Sequence, residues 1–152
     1  MRKVAAFILT HGRPDNVVTY KTLRACGYTG DVFFIVDNED ATADRYRANF
    51  GAERVIVFDK KAQADKIDEA NNFDNRKVIV HARNASFDIA ESLGVTHFVQ
   101  LDDDYYFFGF RGADGAKTIR RMDSVIVEVL DFLDSTPTLS IAFAQGGDNI
   151  GG

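Results

Sequence analysis

Short apolar runs, each followed by polar and glycine-punctuated residues, recur along the chain. Val4 to Leu9, Val32 to Val36, Val55 to Phe58 and Phe98 to Leu101 are nearly unbroken apolar stretches. Runs of this length, bounded by polar residues, are what strands covered on both faces look like. The segments between them read as helices. Pro14 suits the first turn of a helix that carries Tyr20 and Leu23 on one face and stops at Gly27. A second helix is expected from Thr42 to about Phe50, ahead of Gly51. Lys60 to Asn75 is polar and mixed and reads as a loop with a short helical piece. From about Lys77 to Leu93 a helix places Ala82, Ala85, Ile89 and Leu93 at helical spacing, with Gly94 as its stop. Tyr105–Phe110 and Lys117–Ile119 flank Gly112-Ala113-Asp114-Gly115, a hairpin signal. Met122 to Asp134 reads as a helix closed by Pro137, and Leu139 to Phe143 as a last strand.

Alternation of strand and helix implies an α/β fold: a mostly parallel sheet with helices on both faces. In such sheets ligands bind beyond the carboxyl ends of the strands. Thr10-His11, Asp37-Asn38, Asp59 and Asp102-Asp103-Asp104 all fall at those ends. The triplet carries the most information. Three adjacent carboxylates repel one another by a few kcal/mol at a moderate effective dielectric. A hard cation relieves that repulsion, since Mg²⁺ takes one or two carboxylates and leaves its other positions to water and phosphate. A solvated acidic turn is the alternative.

Composition then narrows the class. The chain has 152 residues, the size of one domain, with 45% hydrophobic and 27% charged residues. A formal charge of −5 gives no overall electrostatic support for nucleic-acid binding, though a local basic patch stays open. The single cysteine, Cys26, excludes an internal disulfide and fits a reducing compartment. Met1-Arg2-Lys3 leads into a short apolar run without a cleavage site, and no stretch is long enough to span a bilayer. A cytoplasmic protein with no membrane association is therefore expected, and no protein partner is evident.

On these residues the chain resembles the nucleotide-sugar-dependent glycosyltransferases of the GT-A fold, a Rossmann-like three-layer sandwich. The resemblance rests on the apolar first strand, Asp37 ending the second, the helix with His81-Ala82-Arg83-Asn84, and a DXD motif at Asp102-Asp103-Asp104. More narrowly, Leu9-Thr10-His11-Gly12-Arg13-Pro14-Asp15-Asn16, Gly27-Tyr28-Thr29-Gly30 and Val36-Asp37-Asn38-Glu39-Asp40 are similar to the phage-borne TET-associated glycosyltransferases. That resemblance implies a UDP-type sugar-nucleotide donor, Mn²⁺ or Mg²⁺, hydroxymethylated bases in DNA as acceptor, and a host cytoplasm as location.

It also implies roles. Asp104 is the first choice of metal ligand. Asp102 belongs either on the metal or on the ribose hydroxyls, and Asp103 supports or faces the donor sugar in the catalytic set. Asp37 accepts from the nucleobase or ribose. Thr10, His11, Arg13 and Asn38 line the same crevice, while Arg83 and Asn84 approach the diphosphate. Structural alternatives stand beside these roles. Arg83 could pair with Asp59 or the triplet, His11 could cap a helix end, and His81 and His97 read as structural. The aromatic cluster Tyr105, Tyr106, Phe107, Phe108 and Phe110 could stack on a base, or form a hairpin packed on the core.

Enzymes of this fold usually carry a further carboxylate base downstream of the DXD strand. After Phe143 the chain offers only Asp148. The expectation is one donor-binding domain over residues 1–152, truncated at its C terminus, with Asp148 as the base if it is not. A non-catalytic nucleotide-sugar or metal-binding module is a different class of reading. A sugar nucleotidyltransferase is a third, disfavoured because only Gly12 stands where a glycine-rich phosphate loop would be.

Overall fold

The computed structural model describes residues 1–67 and 79–144. Four strands, β1 (Val4–Leu9), β2 (Asp31–Asp37), β3 (Val55–Phe58) and β4 (His97–Asp102), form one sheet in the order β3-β2-β1-β4. Every pairing in it is parallel. The apolar runs thus form the strands expected of them. Successive side chains of β1 alternate between two cores, Ala6 and Ile8 on one face and Ala5, Phe7 and Leu9 on the other.

Helices cover both faces. Helices α1 (Val18–Ala25), α2 (Ala43–Phe50) and α5 (Met122–Ser135) contribute Leu23, Tyr46 and Met122 to the first core. Helix α4 (Val80–Ser92) contributes Ala85, Ile89 and Ala90 to the second. A short helix α3 (Lys60–Ala64) follows β3, capped by the Asp59 carboxylate, which accepts from the Ala62 N–H at 2.9 Å. Rings also stack across elements: Phe34 of β2 and Phe50 of α2 lie 4.0 Å apart between centroids. Among the described residues no helix is long and apolar enough to cross a membrane.

The hairpin forms as β5 (Gly109–Gly112) and β6 (Gly115–Thr118), antiparallel and exposed throughout. Only Tyr105 and Phe108 of the preceding aromatics pack against the core, whereas Tyr106, Phe107 and Phe110 are solvent-facing. That corrects the expectation of a hairpin seated on the core. Two other expectations change. Pro14 occupies a turn in which Asn16 N–H donates to Arg13 O, and the helix starts only at Val18. Pro at the second position of a turn needs the same φ as Pro at a helix start, so the residue alone does not separate the two. Leu139–Phe143 does not pair as a strand; Leu139 is fully exposed. The helix expected from Lys77 is described from Val80, and residues 68–78 lie outside the described residues.

This topology fixes where a ligand can sit. From β1 the chain steps to β2 and β3 on one side, then returns to place β4 on the other. The strand order reverses between β1 and β4, the kind of point beyond the carboxyl ends at which open α/β sheets bind ligands. Leu9 pairs with Asp102 at that end, so Thr10 and the acidic triplet face each other across it.

Candidate functional site

The three carboxylates leave β4 in three different environments. Asp103 points inward and is 8% exposed. One of its oxygens accepts from Thr10 Oγ1 at 2.7 Å and the other from an Arg13 Nη1 at 3.2 Å. Asp102 is half-buried, accepting from Arg83 Nη2 at 3.3 Å and from the Tyr105 hydroxyl at 3.2 Å. Asp104 projects outward, its side chain 66% exposed, with Arg13 Nη1 4.0 Å away. Two arginines therefore already offset the repulsion the triplet would otherwise carry.

The turn itself is pinned to the start of α1. Thr19, fully buried, donates its backbone N–H to Asp103 O at 3.1 Å and its hydroxyl to Asp102 O. The same hydroxyl accepts from Tyr105 N at 2.8 Å. A buried threonine thus satisfies the backbone groups of a turn that would otherwise have no ladder partners. Burial, with the Asp102 charge second, pushes the Tyr105 phenol above its ordinary pKa and keeps it a donor.

A second buried group orders Thr10 and Arg13. Tyr46 of α2 has no exposed surface, and its oxygen accepts from Arg13 N–H at 2.7 Å and lies 2.8 Å from Thr10 Oγ1. Thr10 has one hydroxyl proton and gives it to Asp103, so Tyr46 must donate to Thr10. Protons then point one way, from Arg13 N–H through Tyr46 and Thr10 to the Asp103 carboxylate. Such chains polarise cooperatively in a low-dielectric interior. Burial raises the Tyr46 pKa, which keeps the hydroxyl protonated for this purpose.

On the β2 side, Asp37 is buried between two cations or potential cations. His11 Nδ1 lies 2.6 Å from one oxygen and Lys60 Nζ 3.4 Å from the other. The His11 ring is about half-exposed, and Nε2 faces away from this contact. Asn38 accepts from Lys60 N–H at 3.0 Å through its side-chain oxygen, tying the β2 loop to α3. The loop after β1 is held by Asp40, which accepts from Gly12 N at 2.7 Å, Thr42 N at 2.8 Å and Thr42 Oγ1. Burial raises the Asp40 pKa on its own, but hydrogen bonds from Thr42 and Gly12, with His11 nearby, leave it below the ordinary carboxylate value.

Thr10, His11, Arg13, Asp37, Asp102, Asp103 and Asp104 therefore surround one crevice, with Arg83 entering from α4. Asn84 is half-buried on α4 and makes no hydrogen bond to these residues. Asp59 caps α3 rather than pairing with Arg83. Asp148 lies outside the described residues. His81 is buried in α4 and His97 lies at the opposite end of β4. Sequence reasoning passed over Tyr46, Lys60, Thr19 and Asp40. Lys60 follows directly on Asp59, so the strand-end argument reached its neighbour; Asp40 before Thr42 carries an Asx-turn signal. Nothing local marks Tyr46 or Thr19.

A divalent cation is compatible with this set. Among the described residues, Asp104 has both oxygens clear of hydrogen bonds, and Asp102 can join it by releasing Arg83; two carboxylates are what Mg²⁺ commonly takes. No group of three or more histidine, cysteine or acidic side chains is placed to hold a metal among the described residues. The remaining positions would fall to water and to phosphate oxygens. Among curated proteins, none matches the chain. A family model described as TET-associated glycosyltransferase matches residues 4–151.

Proposed function

Since the chain belongs to the TET-associated glycosyltransferase family, we propose that the β1–β4 crevice binds a nucleotide-sugar and a divalent cation for transfer of the sugar to a hydroxyl group. Glycosyl transfer is the family's general activity; the donor, the metal and the acceptor are our reading. The acceptor we favour is a hydroxymethylated base in DNA. The observation that carries the reading is the meeting of Asp102, Asp104, Arg13 and Arg83 at the point where strand order reverses.

Transfer breaks the bond between sugar C1 and the diphosphate oxygen and forms one between C1 and the acceptor oxygen, which loses its proton. Negative charge grows on the departing diphosphate, and groups placed to meet it lower the barrier. A bound Mn²⁺ or Mg²⁺ would supply Lewis acidity toward the phosphate oxygens. Arg13 and Arg83 offer planar guanidinium groups suited to the same oxygens. Asp103, with both oxygens committed, positions Thr10 and Arg13. His11 presents Nε2 on the nucleoside side, its orientation set by Asp37. Asp148 is our assignment for the base.

Calorimetric titration with UDP-sugars, in Mn²⁺ and again in EDTA, tests donor and metal together. Binding should require the cation, and Asp104→Asn should weaken it at least tenfold, since a charged interaction is worth about 1.5–3 kcal/mol. Equal affinity in EDTA would remove the metal. Incubation with donor and hydroxymethylcytosine DNA, read by nucleoside mass, tests transfer; donor binding without transfer or free sugar would favour a binding module.

A further inference from the structure

Most arginine side chains among the described residues are engaged. Arg2 meets Asp131 and Asp134, Arg13 meets Asp103, Arg45 meets Asp15, Arg47 meets Asp44, Arg54 meets Glu53, and Arg83 meets Asp102. Arg24 donates to the carbonyls of Tyr28 and Gly30. Three are not. Arg111, Arg120 and Arg121 are exposed and make no ion pair or side-chain hydrogen bond among the described residues, and Lys21 on α1 shares that condition. In a chain with a formal charge of −5, three of these cations, Lys21, Arg120 and Arg121, line adjoining grooves.

Three exposed aromatics lie beside them. Tyr106, Phe107 and Phe110 are 85%, 43% and 58% exposed. Lys21, Tyr106, Phe107 and Arg120 line a groove of about 360 Å³ between α1 and the segment after β4. Phe110, Arg120 and Arg121 line an adjoining one of about 550 Å³ along α5. Arg120 and Thr118 belong to both, so the two are continuous. The strip is also braced. A Cβ at Gly109 would lie 2.3 Å from the Phe107 ring, and one at Gly27 would lie 2.6 Å from Arg120 O. Met122 N donates to Cys26 O at 2.9 Å, holding the Arg120–Arg121 backbone on the end of α1.

Aromatic faces standing in water beside unpaired cations match a strand that offers flat bases and regularly spaced phosphates. Bases stack on such rings without sequence preference, and cations along the groove follow the backbone. A paired duplex hides the base faces that Tyr106 and Phe110 would stack against. We propose that this strip binds an unpaired stretch of nucleic acid and delivers it to the crevice, since Tyr106 stands only two positions beyond Asp104. The delivery half of the proposal rests on the transferase reading; the binding half stands by itself.

Fluorescence anisotropy with the full chain and a labelled twelve-nucleotide single strand, its duplex and a salt series provides the test. The single strand should bind more tightly than the duplex. Tyr106→Ala with Phe110→Ala should weaken it at least tenfold. Arg120→Gln with Arg121→Gln should lower the slope of log affinity against log salt by about 1.4, at roughly 0.7 per phosphate contact. All four positions are exposed, and thermal melts of both variants verify folding. Unchanged affinity in either variant, or no preference for the single strand, overturns the proposal. So does a wild-type dimer in sedimentation that the aromatic variant dissolves while oligonucleotide binding is absent. Donor titration of the same variants separates the two readings: donor binding that never occurs in wild type defeats the transferase reading while strand binding stands.

Discussion

Tyr46 shows how much of this crevice depends on a side chain that no ligand touches. It carries the Arg13 N–H and passes its own proton to Thr10, whose proton goes to Asp103. Tyr46→Phe keeps the ring in the core and removes only the oxygen. Arg13 N–H is then left without its partner, and a partly buried group stranded in this way costs up to about 1–3 kcal/mol. We expect urea unfolding to show a loss in that range, and donor titration a several-fold weaker affinity because Arg13 and Thr10 lose their fixed positions. Loss of stability with unchanged donor affinity would make the chain purely structural. The ends of the strands, Thr10, Asp37 and the triplet, were legible because buried apolar runs must terminate in loops that face a ligand. Tyr46 was not, because its hydroxyl acquires meaning only once α2 packs across β1. Lys60 is similar: a lysine after a strand is ordinary until the fold buries it 3.4 Å from Asp37.

At the scale of elements, the parallel strands were readable because a strand covered on both faces leaves a continuous apolar run. Edge and surface strands leave no such trace. Leu139 to Phe143 alternates like a strand, yet a strand exists only where a partner completes its ladder, and no pairing forms there. The hairpin was legible from its turn, but which aromatics would face the core depended on how the segment crosses α1. That crossing rests on Gly27, whose φ of +84° and 2.6 Å approach of Arg120 O to a built Cβ leave no room for a side chain. Gly27→Ala should therefore cost more than the left-handed conformation alone, which is about 1–2 kcal/mol. We expect at least ~2 kcal/mol by chemical denaturation, with Arg120 and Arg121 displaced from α1. A loss of less than about 1 kcal/mol would mean the segment shifts freely and is not braced as described.

Across the whole molecule, the ionisable groups that the fold perturbs divide by pH. Asp40 has its carboxyl held below the ordinary value, so it contributes stability that is present above about pH 4 and is lost as pH falls further. The tyrosines act at the other end. Burial raises Tyr28, Tyr46 and Tyr105, and Tyr28 is pushed up to about 12. A phenol of raised pKa favours the folded state fully below its unfolded value near 10, and that contribution disappears as pH rises through the folded value. Tyr28 is 5% exposed, and its hydroxyl donates to Asp31 O at 3.2 Å. Unfolding free energy measured in urea should therefore stay level from about pH 5 to 9, then fall between about pH 10 and 12. The part due to Tyr28 should be roughly 1–3 kcal/mol, at 1.36 kcal/mol per unit less the screening left to a partly hydrated phenol. Growing negative charge on a chain already at −5 steepens the same limb. Tyr28→Phe separates the two causes. It removes one hydrogen bond at neutral pH, about 1 kcal/mol, and should remove the tyrosine part of the alkaline loss while leaving the charge part and the acid limb as they were. An alkaline limb identical in Tyr28→Phe and wild type would assign the loss to overall repulsion and take Tyr28 out of the account.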